Sequence, residues 1–578
     1  MARHHWVLAF ALLVVLSACG NVGKPPALAD TAPAAPMARS MTADPTMHVP
    51  ASLADWARGA KLFDGLGDFH RSITTSVPEA QKYFDQGMRL MWAFNHDEAT
   101  RSFARAAELD PQCASCYWGV SLTVGPNYNL PFLTAERAKV AFDALALSKG
   151  NAAHTTSVEQ ALIQALNSRY PTAAPLDPTT TAPVLTAYAA AMKVVARQFP
   201  RDSDVQTLYA EALMNVNAWK LWSADGKPAD GTEQIVATLE SVLARDPLHP
   251  GANHYYVHTM EASLHPEKAV AAAERLKGLM PAAGHMVHMP AHIMQRIGRY
   301  EEAAEANRRG VAADDAYVAQ TTPPDYYATM YSSHNYQFLA SSAAMEGRRA
   351  ETISAADGSR KAIADEMLLA MPGADWCVAE QYTARVRFGA WKELLAMPAP
   401  DSRLTGLRGG YLYGRAMALA AKGRGQESRG LLSELQALAA SKAAEAPAGM
   451  NTVRDVLNVA IPVVQARIAS ADHQPDLVLA SLRRAVAAED KLAYNEPRDW
   501  FFPVRHLLGA ALMEAGKPDD AEEVYREDLQ RNPDNGWALY GLGAALKAQG
   551  KAADAARVAQ QYQAAWKHAD VVLASSAF

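Results

Sequence analysis

The sequence predicts an all-α protein built as an α-solenoid of stacked helical hairpins. Three observations support this fold class. Amphipathic helical stretches fill the chain from about residue 53 onward. A small or apolar residue precedes a Pro by the same interval in several of these stretches, and some of them recur every 34 residues. The chain has 578 residues, which is too long for one ordinary compact core, whereas a repeat array grows in one dimension.

The repeat register is visible at four places. An interval of 12 residues separates Ala99 from Pro111, Ile235 from Pro247, Ala269 from Pro281, and Ala521 from Pro533. The 34-residue period separates Ile235 from Ala269, Ala269 from Ala303, and Ala521 from Ala555. With its cleanest copy at residues 537–562, this pattern resembles the tetratricopeptide repeat (TPR) family. The resemblance covers roughly two thirds of the chain, and it implies a right-handed superhelix whose first (A) helices line a concave, ligand-binding groove.

The N-terminus predicts a secreted and anchored protein. An apolar run of 11 residues, Trp6–Leu16, is too short to span a bilayer but suits the apolar part of a signal peptide. With Leu16-Ser17-Ala18-Cys19 it resembles a bacterial lipoprotein signal, which implies a signal peptide at 1–18 and lipidation of Cys19. The alternative is an ordinary secretory signal with an incidental Cys. Since Gly20 rather than Asp follows, we expect a periplasm-facing protein on the outer membrane, held there by lipid alone.

The rest of the chain divides into three predicted segments. Residues 19–52 are rich in Ala, Pro and Thr and predict a flexible tether. Residues 53–400 predict an N-terminal solenoid with a His-rich groove, and residues 401–578 a C-terminal solenoid, with a boundary near 397–403. The net charge of -6 and the pI near 6.3 argue against a nucleic-acid partner. We therefore expect a protein, peptide or small-molecule ligand in the groove.

Histidines in the segment 254–292 carry the main functional prediction. His254 and His258 precede Ala269 by 15 and 11 residues, and His288 and His292 precede Ala303 by the same intervals. They occupy equivalent places on the A helices of adjacent repeats. Since residues i and i+4 share a helix face, the four imidazoles can converge on one patch.

Such a patch predicts a transition-metal site. Imidazole binds copper, zinc and iron, and the spacing does not distinguish these metals. His285, His334 and Glu261 are further candidate ligands, and Glu261 is also a candidate catalytic base. Pro290 lies between His288 and His292 and should kink the helix there, which tilts His285 and His288 relative to His292. The alternative is that the histidines are duplicated by descent and bind a peptide carboxylate.

Two further groups of residues suggest chemistry. Cys113 and Cys116 lie where a helix should begin, and they could form a disulfide, a redox pair or half of a metal site. The disulfide is favoured, which leaves Cys377 over. A charged stretch in the C-terminal part predicts ligand binding in the groove, or else a structural ion-pair cluster, through Glu496, Arg498, Arg505 and His506.

Two functions from different classes remain open on the sequence. The first is a membrane-anchored periplasmic TPR protein that binds a ligand or partner in its groove and carries a transition-metal site. The second is a metal-dependent enzyme, hydrolytic or oxidative, that is housed in the solenoid.

Overall fold

The computed structural model describes residues 50–130, 133–176, 178–321, 327–371 and 373–578. The predicted signal peptide, Cys19 and all but the end of the predicted tether lie outside these residues. Within them, helices account for nearly all regular structure. One antiparallel pair of two-residue strands joins β1 (Pro447–Ala448) to β2 (Asn451–Thr452).

The helices up to the first histidine pair are α1 (Leu53–Ala57), α2 (Pro78–Trp92), α3 (His96–Leu109), α4 (Ala114–Thr123), α5 (Ala135–Asn151), α6 (Ser157–Leu166), α7 (Pro178–Gln198), α8 (Ser203–Val216), α9 (Thr232–Arg245) and α10 (Pro250–Met260). The middle helices are α11 (Val270–Leu279), α12 (Gly284–His288), α13 (Pro290–Arg296), α14 (Tyr300–Gln320), α15 (Ser333–Met345), α16 (Arg349–Ala362), α17 (Asp365–Ala370), α18 (Ala374–Cys377), α19 (Glu380–Arg387) and α20 (Trp391–Ala396). The last helices are α21 (Thr405–Ala421), α22 (Gly425–Ala440), α23 (Val453–Ala471), α24 (Pro475–Glu489), α25 (Val504–Glu514), α26 (Pro518–Arg531), α27 (Gly536–Ala548) and α28 (Ala552–Ala565).

Helices that follow one another in sequence pack against one another along most of the chain. This is the contact pattern of an all-α, TPR-like solenoid, because each hairpin buries its apolar face on the next one. The small residues of the predicted register lie where helices approach most closely: Ala269, Ala303 and Ala521 are fully buried. The predicted fold class is therefore confirmed.

Local sequence explains how the histidine-bearing helices begin and end. Helix α10 begins with Pro250 at its first position, where no backbone donor is needed, and the His249 side chain accepts a hydrogen bond from the Ala252 backbone. The next A helix is interrupted at the expected place, beside Pro290. Helix α12 ends at His288 and α13 begins at Pro290, because a Pro has no N–H to continue the helix.

The apolar core falls into two clusters. One extends from Trp56 to Phe338 and the other from Ala304 to Leu573. They meet within α14 and α15, which is earlier in the chain than the predicted boundary near residue 400. The histidine-bearing helices thus lie against the junction of the two clusters rather than in the middle of one block.

Helices that are distant in sequence contact one another. Helix α10 packs directly against the end of α2, since a Cβ atom at Gly251 would lie 2.4 Å from the Trp92 ring. Further along, the Trp537 indole donates a hydrogen bond to the Ala344 carbonyl at 2.7 Å. The Arg296 guanidinium lies over the Tyr494 ring at 5.4 Å from its centroid. Distant parts of the chain therefore fill the space beside the A helices of the histidine segment.

No helix among the described residues has both the length and the apolar character needed to cross a membrane.

Candidate metal centre

The structure brings all six candidate histidines together in the interior. Each is at most 6 % exposed. The expectation that they line an open concave groove is wrong, because the end of α2 and the segment after α24 cover them. They form two groups of three, and within each group the ligand atoms lie within 4.8 Å of one another. We call His254, His258 and His285 the first triad, and His288, His292 and His334 the second triad.

In the second triad the Nε2 atoms face one another. The Nε2 atom of His288 lies 2.7 Å from that of His292 and 3.1 Å from that of His334. A tetrahedral metal ion about 2.0–2.1 Å from each nitrogen would hold its ligand nitrogens about 3.3 Å apart. Both observed spacings are shorter than this value, so the rings would have to move apart by a few tenths of an ångström to hold an ion.

The other ring nitrogens of the second triad explain this orientation. His288 donates from Nδ1 to the Asn307 side-chain oxygen at 2.7 Å, and the Asn307 amide is itself fixed by donating to the Ala303 carbonyl at 2.8 Å. His292 donates from Nδ1 to Glu261. The Nδ1 proton is committed in both rings, so each ring, in its neutral form, directs an Nε2 lone pair to the common point.

The first triad is built in the same way. His254 donates from Nδ1 to the Trp92 carbonyl at 2.6 Å, and its Nε2 atom lies 3.1 Å from that of His285. His258 donates from Nδ1 to Glu261 at 2.8 Å. The Nε2 atom of His258 and the Nδ1 atom of His285 are buried without a hydrogen-bond partner among the described residues. A buried nitrogen of this kind costs free energy unless a ligand or ion satisfies it.

Two phenylalanines fix the rings of the triads. The Phe94 ring centroid lies 4.5 Å from that of His254, 5.5 Å from that of His258 and 5.6 Å from that of His285. Phe94 also has a positive φ of 57°, which is a strained conformation for a bulky residue. Phe338 packs against the second triad at centroid distances between 4.9 and 6.1 Å.

The two triads touch each other. The ring centroids of His258 and His292 are 5.4 Å apart, and those of His285 and His288 are 5.6 Å apart. These separations equal those within each triad, which range from 4.6 to 5.8 Å. The six imidazoles are therefore one packed cluster with two points of convergence.

Glu261 joins the triads. Its two carboxylate oxygens accept hydrogen bonds from His258 and His292, one from each triad. Burial by itself would raise the pKa of Glu261, but the charge of His292 and the hydrogen bonds from both rings outweigh it and lower that pKa. Both oxygens of Glu261 are thus engaged by ring nitrogens, and its lowered pKa makes it a weak proton acceptor; its role as a catalytic base stays a prediction.

The protonation of the histidines suits metal binding. Burial lowers the pKa of His254, His285 and His288 well below the usual value, and it also lowers that of His258. His292 is the exception, since the charge of Glu261 outweighs burial and raises its pKa. Most of the cluster is thus held as neutral imidazole, the form that coordinates metals.

The four charged candidates near the C-terminal part do not form one binding patch. Arg505 is buried and pairs with Asp490 and Glu527 at 2.8 Å each. His506 is buried between Asp528 and Arg387, at 2.8 and 2.9 Å. Both side chains are buried and paired with charged groups inside the protein, which favours the alternative of a structural ion-pair cluster for these two.

The other two candidates have different surroundings. Arg498 is exposed. Glu496 is buried, accepts a hydrogen bond from Tyr494, and lies within 4.8 Å of ligand atoms of Glu261 and His292. Burial raises the pKa of Glu496. It therefore lies next to the second triad, which the sequence did not predict.

Cys113 and Cys116 form a disulfide in the structure, at the start of α4. They lie apart from the histidine cluster.

Several residues of the centre could not be identified from the sequence. The Trp92 carbonyl and Phe94 come from another repeat, 160 residues before His254. Asn307 lies one turn after Ala303 on α14, where an Asn is unremarkable. Only contacts between distant segments reveal these roles.

The fold and the buried histidine cluster define the class of protein: an all-α helical-repeat protein with an internal cluster of metal-ligating side chains. A family model for the tetratricopeptide repeat matches residues 512–566, which contain α26, α27 and α28. Residues 512–566 therefore match the tetratricopeptide repeat, and the rest of the described chain continues a TPR-like array of helical hairpins. Arrays of this kind generally serve as scaffolds for partners or ligands.

Solved structures of low similarity share the helical-repeat character. A human IFIT1 dimer with m7Gppp-AAAA is 11 % identical over 89 % of this chain and 97 % of that chain, with a TM-score of 0.33. The APC/C hetero-tetramer Cut9-Hcn1 is 13 % identical over 81 % of this chain and 76 % of that chain, with a TM-score of 0.30. These likenesses carry no information about ligands. No curated protein is significantly similar in sequence.

Proposed function

We propose that this chain binds transition-metal ions at its six-histidine cluster, one ion at each triad. The convergence of the Nε2 atoms of His288, His292 and His334 is the observation that carries this proposal. Hydrogen bonds that tie up Nδ1 and leave Nε2 as the ligand are the usual support of a histidine metal site. The same support is present in the first triad, at His254 and His258.

The ligand atoms at the two triads limit which metal ions can bind. Imidazole nitrogen suits copper, zinc and iron, whereas calcium and magnesium take oxygen ligands. Glu261, the carboxylate that contacts a histidine of each triad, uses its oxygens on the histidine Nδ1 atoms. The proposed cofactor is therefore copper, zinc or iron.

Metal content tests the proposal. The purified protein, expressed with each metal supplied, should contain close to one ion per triad. The double variant His258→Ala/His292→Ala removes one ligand from each triad and both partners of Glu261, so it should lose nearly all bound metal. His265→Ala is the matched control, because His265 lies in the same segment but is exposed, and its ring pairs with the exposed Glu267. Full metal content in the double variant would refute the centre.

We also propose that the protein is lipid-anchored at Cys19 and faces the periplasm from the outer membrane. The signal-like residues Leu16-Ser17-Ala18-Cys19 support this, and the Cys113–Cys116 disulfide suits an oxidising compartment. In a bacterial host, wild-type protein should fractionate with outer membrane and incorporate labelled fatty acid. Cys19→Ser should appear without label in the soluble periplasmic fraction. Membrane association of Cys19→Ser equal to wild type would contradict the anchor.

A metal-dependent enzyme is the second candidate function. One observation favours it over a purely structural centre: a cleft of about 650 Å³ reaches His285. The remaining candidate, a protein or peptide partner on the solenoid surface, rests on the general use of TPR arrays.

A further inference from the structure

We propose that the cleft beside His285 admits a small aromatic molecule with one polar atom, a phenol in the simplest case, to the first triad. The inference rests on the proposed metal centre and makes its two triads unequal: the first triad receives an external ligand, and the second triad is closed.

The cleft reaches the histidine cluster at His285. Of the six histidines, His285 is the one that lines it, and His285 is also the most exposed of them at 6 %. The volume of about 650 Å³ lies within the range of small-molecule sites. His288 and His292 have no exposed surface, and Phe338 packs over their rings.

Aromatic rings form one wall of the cleft in unbroken succession. The ring of Phe63 lies 5.8 Å from that of Tyr317, Tyr317 lies 4.9 Å from Tyr327, and Tyr327 lies 5.3 Å from Tyr331. Tyr331 in turn lies 5.2 Å from the His285 ring. These separations are those of interacting aromatic pairs, so the wall offers successive ring surfaces from Phe63 to the histidines.

The tyrosine hydroxyls are turned to internal acceptors. Tyr317 donates to Glu98 at 3.0 Å, Tyr327 to Asp314 at 2.9 Å, and Tyr331 to the Phe94 carbonyl at 3.0 Å. With the hydroxyl protons engaged, the rings offer the cleft mainly their carbon surfaces. Such a wall favours an apolar, aromatic ligand over a sugar or a polar chain.

The charged residues that line the cleft favour neither an anion nor a cation as the ligand. Its charged lining residues other than histidine are Asp64 and Arg309, which are opposite in sign, and Arg309 donates to the Lys277 carbonyl. At the inner end, His285 has a buried Nδ1 atom without a hydrogen-bond partner among the described residues. One polar atom of the ligand can therefore hydrogen-bond to His285 at the inner end of the cleft, and the rest of the cleft favours an apolar ligand.

Ligand binding to cobalt-loaded protein tests the inference. Cobalt(II) replaces the native metal as a spectroscopic probe, and its visible spectrum changes when the ligand set or its surroundings change. Phenol titration should shift the spectrum of the wild type, and cyclohexanol, which carries a hydroxyl on a saturated six-membered ring, should bind at least about tenfold more weakly, or about 1.4 kcal/mol. Equal binding of the two alcohols would overturn the aromatic preference.

Blocking the cleft gives the second arm. Ala316 lines the cleft on the exposed side of α14, so Ala316→Trp should weaken phenol binding about tenfold or more without changing the cobalt content. Ala319→Trp is the matched control, because Ala319 is exposed on the same helix outside the cleft lining. If both variants bind phenol like wild type, the cleft is not the route and the inference fails.

The two proposals fail separately. Cobalt-loaded protein that shows no response to phenol would overturn the inference and leave the metal centre intact. A chain that binds no metal would refute the metal centre. Phenol binding to the metal-free protein would then be measured by calorimetry. A heat of binding in wild type that Ala316→Trp abolishes would support the aromatic site, and no heat of binding in wild type would overturn it.

Discussion

Single residues decide which nitrogen of each histidine is available. A carbonyl, an amide oxygen or a carboxylate beside Nδ1 fixes the proton there, and the opposite nitrogen becomes the ligand. His254, His258, His288 and His292 are all oriented in this way. Glu261 differs from the other acceptors because its one carboxylate orients a ring in each triad.

Replacing Glu261 should weaken both triads. In Glu261→Gln one of the two oxygens becomes an NH₂ group, which cannot accept the Nδ1 proton of a histidine. One ring must then move its proton to Nε2 and lose its ligand lone pair. We expect metal affinity to fall roughly 10–100-fold, measured by competition with a chelator. Glu267→Gln is the control, since Glu267 contacts the exposed His265, and it should leave affinity unchanged. Wild-type affinity in Glu261→Gln would contradict the orienting role.

A second residue-scale prediction concerns pH. Burial raises the pKa of Asp499 from its ordinary value of 3.8 to about 7. Between these values the folded protein holds a proton that the unfolded chain has lost, so stability falls as pH rises, by up to about 1.4 kcal/mol per pH unit. Asp499→Asn stays neutral and still can accept hydrogen bonds from the Asn451 side chain and the Met450 backbone.

The comparison of wild type with Asp499→Asn across pH is the measurement. The melting temperature of the variant should exceed that of wild type increasingly from pH 5 to pH 8. A difference in melting temperature that is constant across this range would show that Asp499 is ionised in the folded protein throughout.

At the scale of elements, one A helix, interrupted at Pro290, contributes histidines to both triads. His285 lies on α12 and joins the first triad, while His288 and His292, on either side of the break, belong to the second. The position of the break was predictable, since a Pro cannot continue the backbone ladder. Its consequence was not, because the direction of α13 depends on packing against α14.

Restoring a continuous helix should disturb the centre. Pro290→Ala supplies the missing N–H, so α12 and α13 can join, and His292 then moves relative to His288. Metal affinity should fall, while helical content measured by circular dichroism stays the same or rises slightly. Pro518→Ala, at the first position of α26 where a Pro is tolerated, should change neither property measurably. Unchanged affinity in Pro290→Ala would show that packing alone sets the geometry.

At the scale of the whole molecule, curling of the array turns a histidine-lined surface into an interior. The end of α2 supplies an acceptor to His254, and the segment after α24 places Glu496 beside His292. Burial then keeps most imidazoles neutral and removes competing water. The centre therefore depends on repeats that are far apart in the chain.

Metal removal should destabilise the molecule unevenly. Binding to the folded state alone stabilises it, by roughly 2.7 kcal/mol per site when free metal is 100 times its dissociation constant. After chelation, hydrogen exchange should quicken in α10, α12, α13 and α15, which carry the triads. Exchange in α27 and α28, in the other apolar cluster, should change little. A uniform change along the chain would show that metal does not act through the cluster.

The sequence alone determined the repeat fold and the equivalence of the two histidine pairs. Both follow from local periodicity: helix faces repeat every few residues, and hairpins every 34 residues. It also placed the break at Pro290. Only the tertiary structure decided that the histidines are buried, that His285 and His334 complete separate triads, and that Glu261 accepts a hydrogen bond from one ring of each triad. These features depend on how far the array curls, which is set by the sum of many contacts between distant helices, and no local pattern records that sum.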